Sequence, residues 1–384
     1  MNINQIYEIV NEINQQTMGE KAVAQVDASN VVDVGSENLS SIGADKYVGK
    51  LIDAIGRRVF VNRAYQGNTP SVLMTSTEWG SVTQKISSEI PTVSVNETYT
   101  LKNGQSYDPN VVNLPNVNSK YFDKYVTFEI DRTIAERQVR SAFNSPDQLN
   151  SFVSMLFNEI EKGMTVSLDN LIMSTISSAI GDTLYTAYDG GARTSASHPN
   201  AVNLLYLYNQ QTGESLPAAK AITTPEFIRF ASYIIGMYPI RMRKMSTLFN
   251  NNGKERFTPT DELHFIMLSE FARSAGAYLQ SDTFHDEYTA IKGYEEVPYW
   301  QGSGVDYAFS STSSINLITG SGNTVSASGI LAVMFDRWSL GVVNLERWTN
   351  SHFNPKADFV NYFYKFKAGY FNDPDENFVV FFVE

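Results

Sequence analysis

Residue types that commonly carry chemistry are sparse in this chain of 384 residues. It contains no cysteine, which excludes disulfides, thiolate metal sites and cysteine nucleophiles together. Its four histidines have no pair at the helical spacing of a zinc site; they are His198, His264, His285 and His352. His264 lies in an apolar run, which favours a core histidine. His285 precedes Asp286-Glu287, which favours a solvated turn over an acid/base or hard-metal site.

Three further motifs are weak candidates for a site. Gly43–Leu51 resembles a phosphate loop, but it has one residue too many between its glycines, and Leu51 replaces the magnesium-binding Ser or Thr. Glu295-Glu296 beside Tyr299-Trp300 could be glycosidase carboxylates next to sugar-stacking rings, although a charged edge beside a packed tryptophan is favoured. Arg241–Lys244 is the densest basic cluster and favours a solvated or inter-subunit face over a nucleic-acid site. We therefore expect no catalytic, cofactor-binding or metal-binding residues, no cofactor, and no enzymatic activity.

The composition is that of a folded protein rich in sheet. Hydrophobic residues make up 42% and aromatic residues 12%, whereas charged residues make up only 18%. The formal net charge of -12 argues against a protein that coats nucleic acid. The N-terminus lacks the basic flank and apolar run of a signal peptide, so none is expected, and no apolar run is long enough to span a membrane.

One long helix is predicted in the middle of the chain, from Ser145 to Gly181. Ser145 and Gln148 match a capping box around Pro146, which suits the first helical position. Gly163 is expected to bend the helix and Gly181 to end it as a left-handed cap. Apolar residues recur at three- and four-residue steps; they are Leu149, Phe152, Val153, Leu156, Ile160, Met164, Leu168, Leu171, Ile172, Ile176 and Ala179. A rod of about 50 Å suits a spine that carries flatter elements.

The segment before this helix has the pattern of an extended β-hairpin. Strands are predicted at Val72–Met74 and Val82–Ile86, followed by the alternating run Pro91–Leu101 and the turn signal Asn103-Gly104. Tyr121–Ile130 is predicted to return as a strand. Because a two-stranded hairpin cannot bury enough surface to be stable alone, we expect it to lie against another subunit. The alternative is a hairpin folded back on its own domain.

Short helices and strands are predicted over the rest of the chain. The predicted helices are Ile3–Ile13, Thr133–Phe143, a helix that begins at Pro225 and ends before Pro239, and Ser269–Leu279. The predicted strands are Asp261–Leu268, Val297–Phe309, Ile315–Ile318, Ile330–Phe335, Trp338–Trp348, Phe359–Tyr370 and Phe378–Val383. Residues 20–45 are weakly patterned and predict an extended arm. Thr319–Ser328 is predicted as a loop, with Gly320-Ser321-Gly322 as a turn.

Two local segments and the order of the elements carry a resemblance to a known family. Asp261–Met267 is a strand that is introduced by an acidic pair and followed by a helix. Ile330–Trp338 is an apolar strand with an acidic and a basic residue before tryptophan, and it continues to Asn354-Pro355 and Tyr362–Tyr364. The chain thereby resembles the major capsid proteins of tailed bacteriophages, which share the Hong Kong 97 fold. The second segment is similar to capsid proteins of small short-tailed phages.

The resemblance implies an α+β fold of the Hong Kong 97 type, with an N-terminal arm, an extended β-hairpin loop, a long spine helix, a peripheral domain and an axial domain. The implied boundaries are 1–50 for the arm, 89–125 for the hairpin loop, 51–88, 126–200 and 336–372 for the peripheral domain with spine helix 145–181, and 201–335 and 373–384 for the axial domain.

The implied function is structural: self-assembly into pentamers and hexamers of an icosahedral phage head that encloses double-stranded DNA. The protein would be found in the virion after assembly in the host cytoplasm. Its implied partners are other copies of itself, a separate scaffolding protein and a portal, with DNA enclosed without specific binding and no membrane contact. Two alternatives stay open, namely the shell protein of a cargo-enclosing nanocompartment and a carbohydrate-active enzyme.

Overall fold

The computed structural model describes residues 11, 70, 72–74, 83–88, 91, 93, 95–96, 99, 102–106, 108, 110, 112–135, 146–280, 293–301 and 308–384. The helices within these ranges are α1 (Pro146–Tyr188), α2 (Leu204–Thr212), α3 (Ala218–Ala221), α4 (Pro225–Met242), α5 (Ser269–Gln280) and α6 (Phe309–Thr312). The strands are β1 (Leu73–Met74), β2 (Thr83–Ser88), β3 (Val117–Phe122), β4 (Tyr125–Ala135), β5 (Ala201–Asn203), β6 (Leu263–Leu268), β7 (Glu295–Val297), β8 (Ile315–Ile318), β9 (Thr324–Ala327), β10 (Ile330–Asp336), β11 (Leu340–Asn354), β12 (Phe359–Asn372) and β13 (Phe378–Phe382).

The predicted long helix is present as α1, and it is longer than the sequence indicates. It begins at Pro146, as predicted, and its 43 residues correspond to about 65 Å. Ser145 lies outside the described residues. The expected end at Gly181 is wrong, because the helix continues to Tyr188. The chain leaves the helix at Gly190, whose φ of +68° suits glycine and whose N–H donates to the Tyr185 carbonyl at 3.1 Å. No helix among the described residues has the length and apolar character needed to cross a membrane.

Both glycines inside α1 permit close packing. A Cβ on Gly181 would lie 2.9 Å from the methyl carbon of Thr319 and 3.4 Å from Leu317 Cδ1, so the β8–β9 hairpin approaches the helix backbone directly. A Cβ on Gly163 would lie 3.1 Å from Ile130 Cδ1. Gly181 therefore serves as a contact point in the helix interior, which explains why it does not act as a cap.

The chain forms two compact units. The first comprises 1–79, 125–172 and 342–369, and its described part contains a four-stranded sheet in the order β1-β11-β12-β4. β1 is parallel to β11, and β12 pairs antiparallel with β4 from Phe359 opposite Ala135 to Gly369 opposite Tyr125. β12 buries every second residue from Val360 to Ala368. These residues share a face with Ile130, against which α1 packs at Gly163.

The second unit comprises 80–124, 173–341 and 370–384 and contains a five-stranded sheet in the order β5-β13-β10-β6-β7. β10 is fully buried and pairs antiparallel with β13 and β6, whereas the edge strands β5 and β7 are parallel to their neighbours. Successive side chains of β13 point to opposite faces of the sheet. Phe381 packs with Tyr238 of α4 at a ring distance of 4.8 Å, and Phe382 contacts Tyr188 of α1 at 6.0 Å.

Three predicted element boundaries are corrected in the second unit. Pro239 does not lie beyond α4 but inside its last turn, where a missing N–H costs one helical hydrogen bond. The predicted strand Val297–Phe309 stops at Val297, because Pro298 cannot donate to a ladder, and Phe309 begins α6. The predicted loop Thr319–Ser328 contains β9, whose Val325 and Ala327 are buried. The turn at Gly320–Gly322 is confirmed, with Gly322 at φ +85°.

Two predictions that involve the first unit are corrected. The strand predicted from Tyr121 to Ile130 is interrupted at Asp123-Lys124, so that Phe122 ends β3 and Tyr125 begins β4. A helix was expected from Thr133 to Phe143, but Thr133–Ala135 continue β4, and Thr133 donates to the Asn361 side chain of β12 at 2.6 Å. Thr133 and Ile134 are β-branched residues that favour a strand, and pairing with β12 extends β4 through them. Residues 136–145 lie outside the described residues, as do the predicted N-terminal arm and its helix, apart from Asn11, which is helical.

Replacing Gly181 with alanine should destabilise the unassembled chain by about 1–2 kcal/mol, because overpacking against the stiff, buried Thr319 outweighs the helix-propensity gain. The matched control is G236A in α4, where a Cβ meets nothing within 4 Å. That substitution should stabilise by about 0.5–1 kcal/mol. Denaturant unfolding measures both, and equal effects of the two substitutions would contradict the packing role of Gly181.

Candidate assembly surface

The hairpin β2–β3 projects two chemically different faces. Its strands pair antiparallel from Thr83 opposite Phe122 to Ser88 opposite Val117. Lys85 and Lys120 stand directly opposite each other and are partly buried. On the other face Gln84 donates to the Ser119 and Tyr121 hydroxyls at 2.9 and 3.1 Å, and this face is exposed.

The paired lysines would repel each other without counter-charges. An acidic turn between β12 and β13, residues 373–377, supplies these charges, and we call the resulting group the hairpin-base ion cluster. Lys85 Nζ lies 2.6 Å from Asp373 and 2.7 Å from Glu376. Lys120 Nζ lies 2.9 Å from Asp373 and also pairs with Asp375. Each lysine thus bridges two carboxylates.

The cluster is extended by a third cation and by a neutral donor. Arg256 Nε lies 3.0 Å from Glu376, and the Asn252 amide donates to Asp375 at 2.5 Å. The Asp373 side chain is only 1% exposed, so the counter-charges are needed inside the protein. Phe122 on the same hairpin face packs against Phe371 at a ring distance of 5.0 Å. Charge pairing and ring packing together fix the base of the hairpin on the second unit.

The electrostatics of the cluster favour its charged form. Burial by itself lowers the pKa of Lys120, but hydrogen bonds and charge interactions with Asp375 and Asp373 outweigh burial and raise that pKa. Burial by itself raises the pKa of Asp375, but hydrogen bonds from Lys120 and Asn252 lower that pKa overall. Lys120 and Asp375 are therefore both ionised at neutral pH, as an ion pair requires.

The outer face of the hairpin exposes apolar side chains, as do the described residues of its tip, which spans residues 89–116. Eight of the nineteen exposed large hydrophobic residues in the described part of the chain lie between Ile86 and Tyr121. They are Ile86, Val93, Val95, Tyr99, Val112, Leu114, Val117 and Tyr121, with exposed fractions from 54% to 91%. The Asn103-Gly104 turn is confirmed, with Gly104 at φ +84°. A concentration of exposed apolar groups on a fixed hairpin is typical of a protein-binding surface.

The residues that the sequence marks as weak chemical candidates occupy structural positions. Trp300 is 1% exposed and its indole N–H donates to the Ile330 carbonyl at 2.9 Å, so it cannot stack on a sugar. Glu296 pairs with Arg273 at 3.0 Å on the surface. His264 stacks on Phe335 at 5.3 Å, and burial lowers its pKa. Among the described residues, no group of acidic or histidine side chains could hold a metal ion; Gly43–Leu51 and His285 lie outside them.

The hairpin-base ion cluster was not predicted from the sequence. Its signal is the acidic run Asp373–Glu376, which interrupts an aromatic-rich tail. The run is separated from Lys85 by more than 280 residues. Spacing along the chain therefore gives no indication that the two meet.

The chain belongs to the Phi29-like phage major capsid protein family, whose family model matches residues 6–382. Its role is therefore that of a structural protein of a phage capsid, and the family places it in the virion. The two alternative classes, a nanocompartment shell protein and a carbohydrate-active enzyme, are not the family to which it belongs. A comparison with curated protein sequences gives no significant match.

Solved phage structures resemble the chain at low sequence identity. The capsid structure of Staphylococcus phage Andhra is 11% identical and aligns over 84% of this chain and 86% of that one, with a TM-score of 0.49. The capsid structure of Cyanophage P-SCSP1u is 12% identical over 85% and 92%, with a TM-score of 0.47. The mature capsid of bacteriophage PhiM1 is 10% identical over 84% and 88%, with a TM-score of 0.40. The family assignment rests on the match of residues 6–382 to the family model.

Replacing Lys120 with methionine should loosen the hairpin while the five-stranded sheet stays folded. The substitution removes one cation from the buried Asp373 and from Asp375. Hydrogen bonds to charged groups contribute about 1.5–3 kcal/mol, and the partial exposure of Lys120 places its contribution near the lower end of that range. Amide exchange in β2 and β3 should therefore accelerate about tenfold. Exchange in β10 and β13 should not change. The matched control R273M breaks an exposed ion pair and should leave hairpin exchange unaltered.

Acid should weaken the Lys120–Asp375 pair only at a pH below the usual range of an aspartate carboxyl group. The folded-state pKa of Asp375 is lowered from 3.8, so the unfolded state binds more protons near that pH. The Asp375 carboxylate therefore stabilises the folded state above about pH 4, and this stabilisation is lost as the pH falls through the folded-state pKa of Asp375. In K120M the loss should begin at higher pH, which carboxyl ¹³C titration together with hairpin amide exchange would detect. Identical titration of Asp375 in both proteins would contradict the assignment.

Proposed function

We propose that the chain is an icosahedral phage-head subunit of the Hong Kong 97 type that forms pentamers and hexamers around packaged double-stranded DNA. In this proposal residues 1–50 form an arm and 89–125 an extended hairpin loop. The peripheral domain comprises 51–88, 126–200 and 336–372, and the axial domain comprises 201–335 and 373–384. Family membership supports the capsid role, and the long helix α1 suits the spine of such a subunit.

The observation that carries the assembly proposal is the apolar, exposed tip of a charge-anchored hairpin. A two-stranded hairpin with its apolar side chains in water is marginal by itself. Burying a large aliphatic or aromatic side chain contributes about 1.5–3 kcal/mol, so burial of only a few of these eight side chains would support a stable contact. The subunits of a shell surround each other, and a neighbouring copy is therefore the partner that the hairpin covers.

The anchoring at the base explains how the hairpin can serve as an assembly element. An arm that is oriented before it binds loses less conformational entropy on association than a free loop. Lys85 and Lys120 orient the strands, and the tip is left available. The remaining proposed partners are a scaffolding protein and a portal, and assembly would take place in the host cytoplasm. The net charge of -12 suits a wall that encloses DNA without holding its phosphates.

Removal of the tip should abolish shells and leave the subunit folded. Ser88 and Val117 are the last paired residues, so residues 89–116 can be replaced by an Asn-Gly turn without loss of a ladder pair. Electron microscopy of the full-length chain should show shells or capsomers, and the variant should remain a subunit with unchanged unfolding. Shells formed by the variant, or unfolding of the variant, would each refute the role assigned to the tip.

A further inference from the structure

A second exposed apolar surface lies in the second unit, away from the hairpin in sequence. Helix α4 presents Tyr233 and Ile240 to solvent, and the following segment presents Met245, Leu248 and Phe257, with exposed fractions from 48% to 71%. We call these five residues, with Arg241, Arg243 and Lys244, the α4 patch. The underside of the same elements is in the core, since Tyr238, Met242 and Phe249 are buried. On α4 the exposed Tyr233 and Ile240 are seven positions apart and therefore lie on one side of the helix, opposite the buried Tyr238 and Met242.

The segment that carries the α4 patch is held in a fixed conformation. The Thr258 N–H donates to the Met242 carbonyl at 2.8 Å, which ties the returning chain to the end of α4. Ser246 and Arg256 exchange two backbone hydrogen bonds of 2.9 and 3.0 Å, which sets Met245 beside Phe257. Arg256 is anchored in turn by Glu376. The apolar side chains are thus displayed on a framework of backbone bonds, and little order must be gained on binding.

The α4 patch is basic on a chain that is acidic overall. Arg241, Arg243 and Lys244 are exposed, and none of them makes an ion pair within the described residues. The whole chain carries 41 acidic and 29 basic side chains. Another copy of the chain therefore carries an excess of acidic side chains, and an excess negative charge complements this basic patch.

We propose that the α4 patch docks on an acidic face of a second copy of this chain. This inference rests on the proposed function and adds a contact that the hairpin does not make. The patch cannot pair with itself across a two-fold axis, because that would set its cations against each other. The contact is therefore heterologous and joins two different faces, and its repetition generates a ring when the rotation between copies closes. The apolar side chains give the contact area, and the three cations select the acidic partner face.

The test uses full-length protein and a double charge reversal, R243E/K244E. Sedimentation velocity should show that the concentration needed for self-association rises at least about tenfold, and added salt should weaken wild-type association more than that of the variant. The matched control K220E/K356E changes the net charge equally at two exposed lysines outside the patch and should associate like the wild type. A second pair of variants tests the apolar side chains. I240S lies in the patch and I318S is its control outside the patch, since both isoleucines are 71% exposed. Only I240S should weaken association.

Zero-length carbodiimide crosslinking of mixed ¹⁴N- and ¹⁵N-labelled chains identifies the partner. Lys244 should crosslink to carboxylates of the other isotope, which shows a contact between copies. Only same-isotope crosslinks, or association of R243E/K244E equal to the control, would overturn the inference. If R243E/K244E associates like the wild type but binds a double-stranded DNA oligomer more weakly, the inference is overturned and the patch is a nucleic-acid-binding face. If the wild-type chain does not associate at all, the proposed function itself is refuted. If the wild type associates and R243E/K244E associates equally well, only the role of the α4 patch is refuted.

Discussion

The neutralisation of two opposed lysines is the interaction on which the assembly account depends. Lys85 and Lys120 face each other across the hairpin, where like charges destabilise a strand pair. The opposed lysines instead stabilise the hairpin, because each of them bridges two carboxylates of the acidic turn, which are supplied by Asp373, Asp375 and Glu376. Folding of the tail is therefore a condition for the orientation of a hairpin that precedes it by more than 250 residues.

The same turn also organises its surroundings in the second unit. Glu376 pairs with Arg256, which lies in the segment that displays the α4 patch. The Asn251 N–H donates to the Pro374 carbonyl at 3.1 Å, and the Phe378 N–H donates to the Phe249 carbonyl at 2.8 Å. One acidic turn thus positions both exposed apolar surfaces of this unit. Changes to its carboxylates are expected to affect both surfaces together, which distinguishes them from changes within either surface alone.

Local pattern was sufficient to predict most element types but not their ends. The apolar stripe predicted α1, and the acidic pair before an apolar run predicted β6 and the helix after it, because periodicity reports local structure directly. The end of α1 was misplaced because Gly181 has two possible roles, a cap or a close contact, and only the position of Thr319 distinguishes them. Thr133–Ala135 were assigned wrongly because their partner strand β12 lies more than 200 residues away along the chain. β9 was assigned to a loop because its segment is rich in Ser, Gly and Thr, although it pairs with the neighbouring strand β8.

The candidate surface was predictable in part for the same reason. Alternation from Pro91 to Leu101 and the Asn103-Gly104 turn predicted an extended hairpin, and the structure confirms the turn. The described tip residues are exposed, and their contact with another subunit stays a prediction. Described residues within that run are not strand, so the alternation indicates exposed apolar side chains rather than a ladder. The ion cluster could not be predicted, since no spacing rule links Lys85 to Asp373.

The most direct test of the central claim is a cryo-electron microscopy reconstruction of particles formed by the full-length chain. The account predicts that the hairpin of each subunit lies on a neighbouring copy, with Val93, Val95 and Leu114 buried between subunits and the Lys120–Asp375 pair intact. A hairpin that packs on its own subunit, or that projects into solvent in the assembled particle, would contradict the account.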